Sequence, residues 1–255
     1  MSERKIARFV DIRACKSIFS EKSTFVLRSP EHYRRLYEIT EGAEGDGNEG
    51  SAQIADGGTA EVGHFVCSCW TMLKGSEPTQ DEWDIFKKDG RNVVAIISTP
   101  SKVCDFLRNK LEMNKESPRF PFDSVEHKEV NYKPLNKVDH TNIFDDVPFA
   151  KVGKFEKEKE YRFVLSYTRS RPPLIDSFIF CGGIDYMEKC LANPGINEEE
   201  KEELRLIFFT AAAGYGDFTD KQMDKIIANA NILFDWQSSE DKTALVQKNV
   251  VCRVR

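Results

Sequence analysis

The chain has 255 residues, a net charge of −5, 40% hydrophobic and 31% charged residues, ordinary values for a globular protein with one large core or two small ones. The acidic balance excludes a protein whose bulk charge serves nucleic-acid binding, and no apolar run reaches the roughly 20 residues of a membrane-spanning helix. Seven cysteines, an odd number without regular spacing, exclude a disulfide framework, and with an N-terminus that lacks a signal-like apolar stretch they lead us to expect a cytoplasmic protein.

Ala14–Ser20 reads as a short, weak helix. Thr24–Arg28 is β-prone, with Phe25 and Leu27 on one face. Ser29 followed by Pro30 has the form of a helix start, a serine cap with proline at the first helical position. The helix is predicted to run to about Ile39 with Tyr33, Leu36 and Tyr37 at helical spacing. Residues 41–62 are rich in glycine, alanine and acids and nearly without large apolar side chains, so a mobile loop is expected there. Gly45, Gly47 and Gly50 spell G-x-G-x-x-G, but no strand precedes them and Asp46 and Glu49 would repel a pyrophosphate, which argues against a dinucleotide loop.

Phe65–Met72 is predicted as a strand that points Cys67 and Cys69 to one face, just after His64. No second Cys/His cluster completes a tetrahedral set. Buried apolar thiols are the better description, and no metal site is expected. His64 itself fits a general base at the mouth of this strand or a structural hydrogen-bonding group. Pro78–Lys87 is a short amphipathic helix with Trp83 and Phe86 inward, and Asn92–Ser98 is a fully buried strand near a sheet centre. A helix restarts at Thr99 and continues to about Met113. Val125–Tyr132 has the alternating charges of a strand nearer an edge, and Lys133–Phe149 is an irregular connection.

Lys154–Leu165 is the most pointed segment, because it passes from a solvated charge run into a strand. Tyr161, Phe163 and Leu165 share one face, Glu160, Arg162 and Val164 the other. A carboxylate and a guanidinium beside a buried valine must be paired or line a cleft. Ser177–Cys181 reads as another buried strand, expected beside Phe163–Leu165. Asp185–Asn193 reads as helical, Asn197 opens a helix through Leu204 and Ile207, a last helix spans Thr219 to about Ala230, and Ala244–Val254 has the form of a final strand. With no repeat and no clean linker, the order of elements predicts one α+β domain over residues 1–255. Its central sheet is mixed or antiparallel with flanking helices, and a helical C-terminal portion lies at about 185–232.

Four residues stand out as candidate site residues. Glu158 and Glu160, alternating onto one strand face roughly 6.6–7 Å apart, fit a catalytic carboxylate with a helper, or a charge run ending in a paired strand. Arg28, at a strand end just before a helix N-terminus, fits a phosphate-binding group or a surface ion pair with Glu31 or Glu38. Tyr33 fits a platform for a base or nicotinamide ring, or plain core. Nothing resembles a nucleophile elbow or a phosphate loop.

Taken in order, Arg28-Ser29-Pro30-Glu31-His32-Tyr33, Cys69-Trp70-Thr71, Glu82-Trp83-Asp84-Ile85-Phe86, Val130-Asn131-Tyr132 and Glu158-Lys159-Glu160-Tyr161-Arg162 resemble the blocks of a widespread prokaryotic domain of unknown function, family 2971. The resemblance covers roughly residues 20–185. It departs where the family's common F-N-D-P-F-D block is replaced here by His32–Tyr37. The family's name confers no activity. A second, fold-level likeness is to ADP-ribosyltransferases, some of which modify nucleic-acid bases. It implies an enzyme with NAD as co-substrate, in which Arg28 holds phosphates, Tyr33 stacks on nicotinamide and Glu160, with Glu158, stabilises the oxocarbenium-like transition state. Two functions from different classes follow: a transferase or glycohydrolase acting on a nucleotide, or a non-catalytic partner-binding protein of a defence or toxin-type system.

Overall fold

The computed structural model describes residues 3–19, 23–41, 47, 49–53, 59–61, 65–87, 92–117, 120–132, 146–151, 153–167, 176–181, 184–204 and 207. In chain order its strands are β1 (Ile6–Asp11), β2 (Phe25–Arg28), β3 (Ser51–Gln53), β4 (Thr59–Glu61), β5 (Phe65–Met72), β6 (Val93–Ser98), β7 (Phe122–Glu129), β8 (Glu160–Tyr167), β9 (Ser177–Phe180) and β10 (Lys189–Ala192). The α-helices are α1 (Cys15–Ile18), α2 (Pro30–Ile39), α3 (Gln80–Phe86) and α4 (Pro100–Asn114), and residues 198–204 are helical. The fold is α+β with antiparallel strand pairing throughout these elements. The chain gathers into two compact units, one drawn from Met1–Phe25, Leu73–Val103 and Phe180–Arg255, the other from Val26–Met72 and Cys104–Ile179.

In the first unit β6 runs between β1 and β10, with Ile6 opposite Ser98 and Lys189 opposite Ile97. All six β6 residues are buried, which is why this strand reads as an unbroken apolar run. On one face Ala7, Ala95 and Ile97 pack with Leu73 and Trp83. Phe9 stacks on Phe86 at 4.3 Å and meets Trp83 edge-on at 5.3 Å. Helix α3 starts at a reciprocal cap, in which Thr79 accepts from the Glu82 amide and the Glu82 carboxylate accepts from the Thr79 amide at 2.8 Å. Asn197 and Glu200 cap the 198–204 helix in the same reciprocal way.

Two expectations fail in this unit. Residues 6–11 form a full strand where none was predicted. Asp185–Asn193 is not helical: Lys189–Ala192 is strand β10, hydrogen-bonded beside β6 with Cys190 fully buried. Lys, Leu and Ala are good helix formers, but pairing with a wholly apolar neighbouring strand outweighs a local preference of tenths of a kcal/mol per residue. The predicted helix at 219–230 and strand at 244–254 lie outside the described residues.

In the second unit β5 lies between β2 and β8, β8 between β5 and β7, and β9 beside β2. Helix α2 begins as expected, with the Ser29 hydroxyl accepting from the His32 amide and proline in the first turn. Phe65, Cys67, Val147, Phe149 and Val164 form a buried cluster against which Tyr33 and Cys69 pack. Strand β7 starts earlier than predicted, at Phe122, and pairs only with β8 among the described residues, in keeping with its edge-like charge pattern. Strand β9 departs from expectation: its neighbour is β2, not Phe163–Leu165 of β8. Its burial is also partial, with Phe180 inside and Ile179 49% exposed. The described part of 41–62 departs too. It holds the small hairpin β3–β4, and Glu49 and Gly50 are buried. No helix of the described residues is long and apolar enough to cross a membrane.

Candidate functional site

The site grows out of β8. Cross-strand register sets Glu160 opposite Thr71, Arg162 opposite Cys69 and Val164 opposite Cys67. Directly opposed residues on antiparallel strands point the same way, so Glu160, Arg162, Cys69 and Cys67 share a face. This is the face predicted for Glu160, Arg162 and Val164. Glu160 is 4% and Arg162 1% exposed, so both charges are inside and must be matched.

They are matched by each other and by a shell of neighbouring groups. The Arg162 Nε donates to one oxygen of Glu160. Its two terminal nitrogens reach the two oxygens of Glu49 at 2.5 and 3.0 Å, and one also donates to the Pro148 carbonyl at 2.8 Å. The second oxygen of Glu160 accepts from Lys151 Nζ at 2.8 Å, and the same ammonium donates to Glu158 at 2.8 Å. Glu158 was expected on the strand. It ends a 3-10 turn over Gly153–Glu158 instead, and Lys159, at φ 45°, turns the chain into β8. Both carboxylates therefore meet one lysine instead of standing side by side on one strand face.

The electrostatics follow from this packing. Burial works against the Glu160 carboxylate, but Arg162 and Lys151 outweigh it and hold its pKa at about 2. Burial likewise opposes the Lys151 ammonium, and Glu160 with Glu158 raises its pKa above the ordinary value. Glu49 is pushed up by burial against the pull of Arg162. Its two-point contact is nevertheless that of a carboxylate, because a guanidinium has no acceptor to offer a protonated acid.

Tyr33 reaches this face from α2, its hydroxyl 3.5 Å from Cys69 Sγ, and Cys69 Sγ lies 3.9 Å from Cys67 Sγ. Burial and the two neighbouring thiols raise the Tyr33 pKa well above its usual value, and the contact with Cys67 and burial do the same for Cys69. Neither is poised to act as a nucleophile near neutral pH. Arg28 pairs with Cys67 and so stands level with Val164. That is four residues along the sheet from Glu160, or about 13 Å at ~3.3 Å per residue. The structure thus brings Glu160, Glu158 and Tyr33 into one neighbourhood and leaves Arg28 apart from it.

Sequence reasoning missed Glu49 and Lys151. One sits in a glycine-rich acidic stretch and the other in an irregular connection, and neither has a local pattern that marks it. The available signal was indirect: a buried Arg162 on an alternating strand needs more counter-charge than Glu160 alone. His64 lies outside the described residues, and these hold no group of three or more metal-ligating side chains suited to a metal ion. A separate concavity of about 620 Å³ lies between α4 (Arg108, Leu111, Lys115) and the start of β7 (Phe122, Val125), and none of the four nominated residues lines it. Comparison with models of known families, with curated proteins and with solved structures finds no match. The likeness to family 2971 rests on the motif blocks alone.

Proposed function

We propose that this chain is a non-catalytic partner-binding protein, of the defence or toxin-type class, and that its buried glutamates are structural. The observation that carries this reading is that both oxygens of Glu160 are engaged, one by Arg162 and one by Lys151. A carboxylate that stabilises a glycosyl transition state must turn an oxygen toward the substrate, and here that means breaking a buried ion pair. A group held at about 2 is also far from the working pH that favours a general base. The concave surface between α4 and β7 offers a partner side chains of both charges, with Arg108 and Lys115 beside Glu112 and Asp123.

The test pairs two measurements on the full chain. Thermal melts against NAD and a nucleotide panel are expected to show no saturable shift, and mass spectrometry with NAD plus nucleic acid or protein is expected to show no transfer or hydrolysis. A saturable nucleotide shift, with turnover lost in a folded Glu160→Gln variant, would establish the nucleotide enzyme and overturn this proposal.

A further inference from the structure

The concavity between α4 and β7 is shaped by one extra residue. Strand β7 pairs Phe122 with Tyr167 and Ser124 with Ser166, so Asp123 has no opposite number on β8 and forms a bulge. The bulge sets Phe122 on the same face as Val125, because their partners Tyr167 and Leu165 flank Ser166. Phe122 is buried there and meets Phe120 and Phe178 edge-on, with ring centroids 5.6 and 4.8 Å away. Phe120, Phe122 and Leu111 of α4 border a concavity of about 620 Å³, a size that accepts a side chain or a small ligand. The charged groups around it are unevenly matched. Lys115 is paired with Glu112, and Arg108 lies 4.0 Å from Asp105. Asp123, exposed on the bulge, enters no ion pair or hydrogen bond among the described residues.

We propose, resting on the partner-binding reading above, that this concavity is the seat of a basic side chain, arginine or lysine, of a protein partner. A cation placed there meets the one carboxylate left over. Its charge also lies beside the half-buried ring of Phe120, and aromatic rings attract cations. The aliphatic stem of the same side chain packs along Leu111 and Phe122. An acidic side chain is the wrong occupant. It would face Asp123 and compete with Asp105 and Glu112 for cations that already have carboxylates.

The probes are N-acetylarginine N-methylamide and its lysine counterpart, titrated into the isotope-labelled full chain and followed residue by residue by NMR. Saturable shifts are expected at the amides of Leu111, Phe122, Asp123 and Val125, with half-saturation in the millimolar range that suits so small a ligand. Asp123→Asn keeps the size of the bulge residue at an exposed position, so the fold stays, and it should weaken binding about fivefold. Asp81→Asn removes the same charge from an exposed position on α3, in the other compact unit, and should leave binding within about twofold of wild type. N-acetylglutamate N-methylamide should give no saturable shift. Shifts spread evenly over the surface, binding unchanged in Asp123→Asn, or equal binding of the capped glutamate would overturn the proposal. Saturation by putrescine with neither capped basic residue bound would assign the seat to a free diamine and overturn it too. Nucleotide turnover would overturn the function proposed above and with it the partner, whereas absence of arginine and lysine binding without turnover overturns this seat alone.

Discussion

Replacing Glu160 with glutamine keeps its shape and removes its charge, leaving Arg162 to Glu49 and Lys151 to Glu158. The cost can be worked in two ways. Holding the carboxyl at about 2 instead of 4.5 corresponds, at about 1.4 kcal/mol per pH unit, to roughly 3 kcal/mol. Breaking one partner out of a buried ion pair costs about 3–5 kcal/mol, and at 4% exposure little solvent screening reduces either figure. For a chain of this size the melting temperature should fall by roughly 6–20 °C.

The pH dependence follows from a depressed folded-state pKa. The stabilisation is complete above about 4.5 and is lost as pH falls toward about 2. The gap between wild type and variant should therefore be flat from pH 6 to 8 and reduced to about half by pH 3. Denaturant melts followed by fluorescence at pH 7 and pH 3 measure both numbers. A gap below about 1 kcal/mol at pH 7, or one unchanged at pH 3, would refute the structural role of Glu160.

Three further outcomes are expected. Thr79→Ala removes the hydroxyl half of the α3 cap and should cost about 1 kcal/mol in denaturant melts, with Thr79→Ser close to wild type. Phe180→Ala should cost about 3 kcal/mol because the side chain is buried, whereas Ile179→Ser, at 49% exposure, should change stability by less than about 0.5 kcal/mol. Among the six cysteines described, Cys181 is the exposed one. Peptide mapping after brief iodoacetamide treatment should find it alkylated before Cys15, Cys67, Cys69, Cys104 and Cys190.

The parts of the fold that were legible in the sequence are those whose pattern is local. The Ser29–Pro30 cap, the apolar run of β6 and the alternation that places Glu160 and Arg162 on one face can each be read within a dozen residues. Strand β10 was not legible, because the apolar partner that makes it a strand is Val94–Ile97, distant in sequence. The site was half legible for the same reason. Alternation along β8 showed that two charges face inward, but the groups that answer them come from Glu49 and Lys151, joined only by the folded chain. Glu158 was misplaced because a period of two was extended through Lys159, whose positive φ ends the strand geometry at that residue.

The 113-residue separation of Glu49 from Arg162 also bears on how the molecule is made. During synthesis the Glu49 segment emerges long before β8 exists, so the Glu49 carboxylate waits in water for a partner not yet translated. A strand that carries a guanidinium into a protein interior cannot dry until its counter-ions are in place, because an unmatched charge there is far costlier than an exposed one. Closing so long a loop is slow compared with forming helices or hairpins. The Arg162–Glu49 contact can thus form only after β8 has been made, and the interior around Arg162 can dry only once Glu49 lies against it.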